Sequence, residues 1–146
     1  MSKSKDKGTK WETACVRRFS DSLGTQLERR ALAGVSDKGD FRLPLPCGPV
    51  GIAECKTYKS YGMALVTEWR RQTKAERENS GDEFGALLIH RSGAGSAWPS
   101  PTFDLNRADV TLRDLCRICA ASGADPDEVW VSLNIGEFLR ACGGAA

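Results

Sequence analysis

The sequence predicts an α/β protein with a mixed central sheet of four to five strands flanked by helices. An amphipathic helix opens the chain, because Trp11, Cys15 and Phe19 recur every four residues. Two short apolar strands follow on either side of a Pro- and Gly-rich connection at residues 44–49. Helical and strand patterns then alternate to the C-terminus, which is the order expected when helices pack on the faces of a sheet.

The chain is predicted to form one domain after a short tail. Residues 1–8 are rich in Lys and Ser, which favours a disordered basic tail, and residues 9–146 have the length of a single domain. We expect Thr9 to cap the first helix, with Glu12 three residues later completing a capping box. This helix should end at about Leu23, before Gly24.

The remaining elements follow from the spacing of apolar residues and turn formers. Residues 25–35 are ambiguous and could hold a strand at 27–32. A Gly-, Ser- and Pro-rich insertion is expected at about 91–109. Strands are predicted at 41–43, 50–57, 85–90 and 129–133, and helices at 63–79, 112–121 and 136–142.

The composition excludes a membrane-spanning protein and a polycation. The chain has 40% apolar and 27% charged residues, a net charge of +2, and no apolar run of the ~20 residues that a membrane helix needs. Its N-terminus has no apolar signal-peptide segment. We therefore expect a cytoplasmic location, in a host cell if the gene belongs to a phage. Among the six cysteines, Cys116 and Cys119 have CxxC spacing, but the second pair of a zinc site is missing, and we expect all six to be reduced.

Three carboxylates and one amine form the candidate site. Asp40 opens the first strand of the predicted hairpin, and Glu54 and Lys56 share one face of the second strand while Cys55 points to the other. If the hairpin lies beside the first helix, Glu12 converges with Asp40 and Glu54. Two such charges at 4 Å repel by about 4 kcal/mol at an effective dielectric constant of ~20, so the cluster requires protons or a cation.

Mg²⁺ or Mn²⁺ is the expected cation, because both prefer carboxylate, carbonyl and water oxygens. The main-chain carbonyl of Cys55 is a further candidate ligand. Lys56 would then donate hydrogen bonds to a phosphodiester, so the pattern predicts metal-dependent cleavage of that bond. Each residue also has a structural interpretation: Glu54 and Lys56 could form a solvated strand face, Glu12 a helix cap, and Gln72 a helix-edge amide.

Basic residues bracket this site in sequence and predict a phosphate-binding surface, although charge clusters are also typical of solvated faces. The candidate DNA-binding residues are Lys10, Arg29, Arg30, Lys59, Arg70, Arg71 and Lys74.

These motifs together resemble the PD-(D/E)XK nuclease superfamily, and most closely its archaeal and phage-type Holliday junction resolvases. The resemblance depends on residues 8–12 opening the first helix, Gly39-Asp40, Glu54-Cys-Lys56, and a following helix with Trp69, Gln72 and Glu76. It covers residues 8–92 well and 129–142 weakly. Gly39 stands where the family motif has proline, and residues 91–128 have no recognised counterpart.

The resemblance implies a restriction-endonuclease-like core and a homodimeric, Mg²⁺-dependent endonuclease that nicks four-way DNA junctions. It makes Glu12, Asp40 and Glu54 metal ligands, Lys56 the catalytic lysine and Gln72 an active-site polar residue. The alternatives are another nuclease of the superfamily (a repair nickase, an exonuclease or a restriction-type enzyme) and a DNA-binding module without catalysis. Comparing cleavage of a junction, a flap and a linear duplex would distinguish them.

Overall fold

A five-stranded mixed sheet with helices packed against it forms the described part of the chain. The computed structural model describes residues 3–30, 39–46, 48–119 and 129–144, with side chains from residue 6 onward. The elements in chain order are α1 (Lys3–Leu23), β1 (Phe41–Pro44), β2 (Val50–Lys56), α2 (Met63–Ser80), β3 (Phe84–Ile89), β4 (Arg107–Thr111), α3 (Leu112–Ile118), β5 (Trp130–Asn134) and α4 (Ile135–Ala141).

The strands lie in the sheet in the same order as in the chain. β2 and β3 are parallel and are joined through α2, whereas the other neighbouring pairs are antiparallel. A parallel pair requires a long crossover connection, and α2 supplies it. The prediction of an α/β protein with a mixed sheet and flanking helices is confirmed.

One face of the sheet is covered by α1 and α4. The apolar stripe predicted for α1 is buried there, with Trp11, Cys15 and Phe19 almost fully inaccessible. The ring of Phe19 lies 5.9 Å from that of Phe41 in β1 and 6.1 Å from that of Phe138 in α4. Burying each aromatic side chain contributes roughly 1.5–3 kcal/mol, so this contact fixes α1 across the N-terminal strands.

The opposite face is covered by α2. Val66 and Trp69 of this helix pack with Leu87 and Ile89 of β3 in a second, smaller apolar cluster. Strand alternation places Glu54 on this side, because it is paired in register with Leu87, while Cys55 packs with the larger cluster under α1. The two faces of β2 therefore differ: one is apolar and one carries charge.

Three elements differ from the sequence-based predictions. The helix α1 begins at Lys3, so residues 3–8 are helical and not a disordered tail, and Thr9 is not a cap. Once a helix is fixed by packing, each added residue gains a hydrogen bond without a new nucleation step, which explains the extension. The strand considered for residues 27–32 is not present over 27–30, where Arg29 forms only an isolated bridge to Phe41. Residues 31–38 and 120–128 lie outside the described ranges.

The third difference is β4, which occupies residues 107–111 where a loop was expected up to 109. Its polar sequence is not typical of a buried strand. The strand can nevertheless be buried because Asp109 lies, fully inaccessible, between the guanidinium groups of Arg70 and Arg107. The loop before β4 is also fastened to α1, since Arg18 forms a two-bond ion pair with Asp104 at 2.8 Å.

No helix within the described ranges is both long and apolar enough to cross a membrane.

Candidate active site

Asp40 lies just before β1, where the chain meets the edge of β2. The amide of Asp40 donates to the carbonyl of Ala53 at 2.9 Å, and the amide of Cys55 donates to Oδ2 of Asp40 at 2.7 Å. Gly39 makes this approach possible: its φ is +88°, and a Cβ there would lie 3.1 Å from the carbonyl oxygen of Ala53. The carboxylate of Asp40 is thus held against β2 by main-chain contacts.

Glu54 and Lys56 project from the same face of β2, as strand alternation predicts. The Nζ of Lys56 lies 3.1 Å from Oε1 of Glu54. Glu54 is buried, whereas 22% of the Lys56 side chain is accessible. Lys56 can therefore contact both the buried carboxylate and a ligand that approaches from solvent.

The electrostatic environment opposes the charged forms of both carboxyl groups. Burial and, to a smaller extent, the negative charge of Glu54 raise the pKa of Asp40 to about 7. The hydrogen bond from the Cys55 amide and the positive charge of Lys56 lower this pKa but do not cancel the increase. Burial, followed by a hydrogen bond and charge from Glu76, raises the pKa of Glu54 well above its ordinary value. Lys56 offsets part of this charge, and a bound cation or added protons would stabilise the two carboxyl groups further at neutral pH.

Glu76 on α2 is a carboxyl group that the sequence argument did not assign to the site. It is buried beside Glu54 and accepts a hydrogen bond from the Nε2 of Gln72 at 3.0 Å. Within the described residues, Oε2 of Glu54 is inaccessible and has no hydrogen-bond donor. Because ionised carboxylates only accept hydrogen bonds, Glu54 and Glu76 can hydrogen-bond to each other only when one of them is protonated. The four-residue spacing of Gln72 and Glu76 on one helix face was the available signal.

Glu12 reaches the same region from α1, on the other side of the sheet. Its charge contributes to the raised pKa of Asp40. Its Oε1 accepts a hydrogen bond from Nε of Arg29 at 2.8 Å, and this ion pair raises the pKa of Arg29. The structure thus brings Asp40, Glu54 and Lys56 together and places Glu12 near Asp40 with its carboxylate engaged by Arg29.

The donor set suits a hard divalent cation that keeps several waters. In the described ranges, no three His, Cys, Asp or Glu side chains form a ready-made metal cage. Mg²⁺ does not require one, because it is usually bound through one or two carboxylates with water and substrate phosphate completing the shell. The buried acceptor of Glu54 and the raised pKa of Asp40 both fit such an ion. The expected role of the Cys55 carbonyl stays a prediction.

A large basic cleft begins directly beyond Lys56. It has a volume of about 1020 Å³ and lies at the carboxyl ends of the parallel strands β2 and β3, where Thr57 and His90 line it. This edge is where ligands bind in open α/β sheets. Two predicted DNA-binding residues, Lys10 and Lys59, line the cleft, and two further cations that the prediction omitted, Lys7 and Arg91, join them.

Other predicted DNA-binding residues are engaged within the protein. Arg30 forms an ion pair with Asp82 at 3.5 Å, and the Nε of Arg71 donates to Glu68 at 2.9 Å. Arg70 binds the buried Asp109 and so has a structural role between α2 and β4. Lys74 is half-buried on α2.

Comparison with known proteins gives no further assignment. No protein-family model matches the chain, and no curated protein or solved structure is detectably similar to it.

Proposed function

We propose that this protein is a Mg²⁺-dependent DNA endonuclease of the PD-(D/E)XK type, with a restriction-endonuclease-like core, that resolves four-way junctions. One observation carries the proposal. The Cys55 amide holds the Asp40 carboxylate against the strand on which Glu54 and Lys56 share one face, which supports a common role for these three side chains.

The environment of Asp40, Glu54 and Lys56 favours a catalytic role for them and not the alternative that Glu54 and Lys56 form a solvated strand face. Glu54 is buried and Asp40 has a raised pKa, which are unfavourable conditions for two carboxylates with a purely structural role. Lys56 is partly accessible beside them. A surface Glu–Lys pair would be exposed at both ends and would contribute little to stability.

Asp40 and Glu54 would hold the metal ion, with Glu12 and the Cys55 carbonyl as further candidate donors. When bound, Mg²⁺ or Mn²⁺ would supply Lewis-acid stabilisation of the phosphate and a water of lowered pKa. Lys56 keeps its ammonium group 3.1 Å from Glu54 and can donate to an oxygen of the scissile phosphate. Gln72 acts through its hydrogen bond to Glu76, which restrains the carboxyl group beside Glu54.

The choice of a four-way junction comes from the resemblance and sets an expectation for assembly. A homodimer would present two sites to the two opposed strands of the junction, matching one two-fold symmetry with another. Recognition would use phosphate charge and DNA shape, with few contacts to base edges.

The test is cleavage of a four-way junction, a flap and a linear duplex in Mg²⁺, in Ca²⁺ and in chelator. The wild-type protein should nick the junction in Mg²⁺ but not in chelator. Asp40→Asn, Glu54→Gln and Lys56→Ala should each lower the cleavage rate by at least ~10²-fold while still shifting the junction in a gel. Glu78→Gln, at an exposed acid on α2, is the matched control and should cleave normally.

The outcomes separate the candidate functions. Equal cleavage of all three substrates would indicate another nuclease of the superfamily. Tight, salt-sensitive binding without nicking in any metal would indicate a DNA-binding module. Normal cleavage by the Asp40 and Glu54 variants would refute this site.

A further inference from the structure

An exposed aromatic side chain lies next to the proposed catalytic residues and has no role in the chemistry described above. Tyr58 follows the end of β2 by two residues, lines the basic cleft and is 60% exposed. Its ring centroid lies 5.7 Å from that of Trp69, with the planes tilted by 49°. Trp69 is buried against β3, so Tyr58 packs on a residue of the core while most of Tyr58 remains accessible. We call Tyr58 and Trp69 the tyrosine platform.

The segment that carries Tyr58 is anchored at a second point. Tyr61 also lines the cleft, and its ring lies 5.5 Å from Trp69. The pKa of Arg107 in β4 is raised chiefly by its hydrogen bonds to Asp109 and, to a smaller extent, by Tyr61, so Tyr61 lies close to that guanidinium. The loop between β2 and α2 is thus held before any ligand arrives, which lowers the entropy cost of binding.

The charge of the cleft fits a phosphate backbone. Lys7, Lys10, Lys59 and Arg91 line it, and none of the lining residues in the described part of the chain is acidic. Serine hydroxyl groups at positions 60, 92 and 96 add hydrogen-bonding capacity. Its volume of about 1020 Å³ is at the upper end of the ~300–1,000 Å³ typical of sites for drug-sized ligands, so a nucleotide fits within it.

Cations that follow a backbone, together with an aromatic ring that a base can stack on, are the features by which proteins bind single-stranded nucleic acid. We propose that the tyrosine platform stacks an unpaired base of the DNA while the cations of the cleft hold the adjoining phosphates beside Lys56. The inference rests on the proposed function and specifies its substrate class.

The platform selects DNA by structure and not by sequence. Both faces of a base inside a continuous duplex are covered by its neighbours, so Tyr58 could stack on it only after unstacking. At an end or an unpaired nucleotide, one base face is already free, and at a four-way junction a base face becomes free when two arms unstack at the exchange point. Every base has such a face, so sequence preference should be weak.

The first test measures binding of a fluorescein-labelled oligothymidine by anisotropy, in chelator so that no cleavage occurs. Tyr58→Ala should weaken binding on the order of tenfold, while Tyr58→Phe should bind as wild type. Tyr58→Leu keeps apolar area but loses the π-face and should behave as Tyr58→Ala. Met63→Ala is the matched control, because Met63 is 61% exposed nearby but does not line the cleft.

Salt dependence separates stacking from charge. Tyr58→Ala should leave the slope of log affinity against log salt unchanged, whereas Lys59→Ala should reduce its magnitude by about one. Thermal melting of each variant checks that it is folded. Equal affinity of the wild type, Tyr58→Ala and Tyr58→Leu would overturn the platform.

The second test compares cleavage of a four-way junction with a duplex that is continuous except for one unpaired nucleotide, and with a fully paired duplex. The wild type should prefer the two interrupted substrates, and Tyr58→Ala should lose most of this preference. Tyr58-dependent binding without any metal-dependent cleavage would contradict the proposed function but leave the platform standing. Cleavage that is indifferent to Tyr58 would support the function and refute the platform.

Discussion

Replacing Asp40 with asparagine should stabilise the folded protein at neutral and alkaline pH while slowing cleavage by at least ~10²-fold. Burial and the charge of Glu54 raise the pKa of Asp40 from 3.8 to about 7. The folded state therefore binds more protons than the unfolded state in this window. The unfolding free energy of the wild type must therefore fall as the pH rises from about 3.8 to about 7. Asp40→Asn has no carboxyl group at this position and should not show that decrease in stability.

The size of the effect follows from the shift. At about 1.4 kcal/mol per pKa unit, the full shift corresponds to an upper limit of about 4 kcal/mol, of which about 2.5 kcal/mol falls between about pH 5 and pH 8. Water that reaches the partly accessible carboxyl group reduces this value. We expect a change of about 1 kcal/mol, or roughly 2–4 °C in Tm for a chain of this length.

The assay is urea unfolding followed by tryptophan fluorescence, in chelator, at about pH 5, 6.5 and 8. The difference in unfolding free energy between Asp40→Asn and wild type should grow by about 1 kcal/mol across this range. Glu78→Gln serves as the control for loss of one exposed carboxylate. A difference that is constant with pH, or that shrinks as pH rises, would refute the assigned electrostatics.

Three further predictions concern the metal, the core and the backbone. Mg²⁺ should raise the Tm of the wild type at about pH 8 more than that of Asp40→Asn, because it binds the ionised carboxylate; equal shifts would contradict this. Asp109→Ala should cost about 3–5 kcal/mol in urea unfolding, since it leaves two guanidinium groups without their buried partner, and a loss below about 1 kcal/mol would count against this role. Gly39→Ala should destabilise the protein by about 1 kcal/mol or more and slow junction cleavage, because its φ is +88° and its Cβ would press on the Ala53 carbonyl. The control Gly143→Ala has φ +83° and open space, so it should lower stability without slowing cleavage.

The relative positions of the site residues could be predicted wherever they depended on strand alternation or on the hairpin between β1 and β2. Strand alternation alone put Glu54 and Lys56 on one face and Cys55 on the other, and the hairpin brought Asp40 to the neighbouring strand. The contact from the Cys55 amide to Asp40 spans fifteen residues but follows from hairpin register. Such short-range geometry is encoded in the sequence.

Contacts between distant segments were not predictable in the same way. β4 was missed because Asp109 reads as a loop residue until Arg70, thirty-nine positions away, supplies its partner. Glu76 became a site residue only when α2 packed its buried face over Glu54. Lys7 and Arg91 joined Lys10 and Lys59 in one cleft because α1 extends to Lys3 and β3 ends beside it. Each of these required the tertiary arrangement.

The central claim is that Asp40 and Glu54 share a divalent cation beside Lys56. Crystals grown with Mn²⁺ test it directly through the anomalous scattering of the metal. We predict a strong anomalous peak within bonding distance of carboxylate oxygens from both Asp40 and Glu54, and its loss in Asp40→Asn crystals. A map with no peak between these two residues, or with Mn²⁺ bound only elsewhere, would contradict the account.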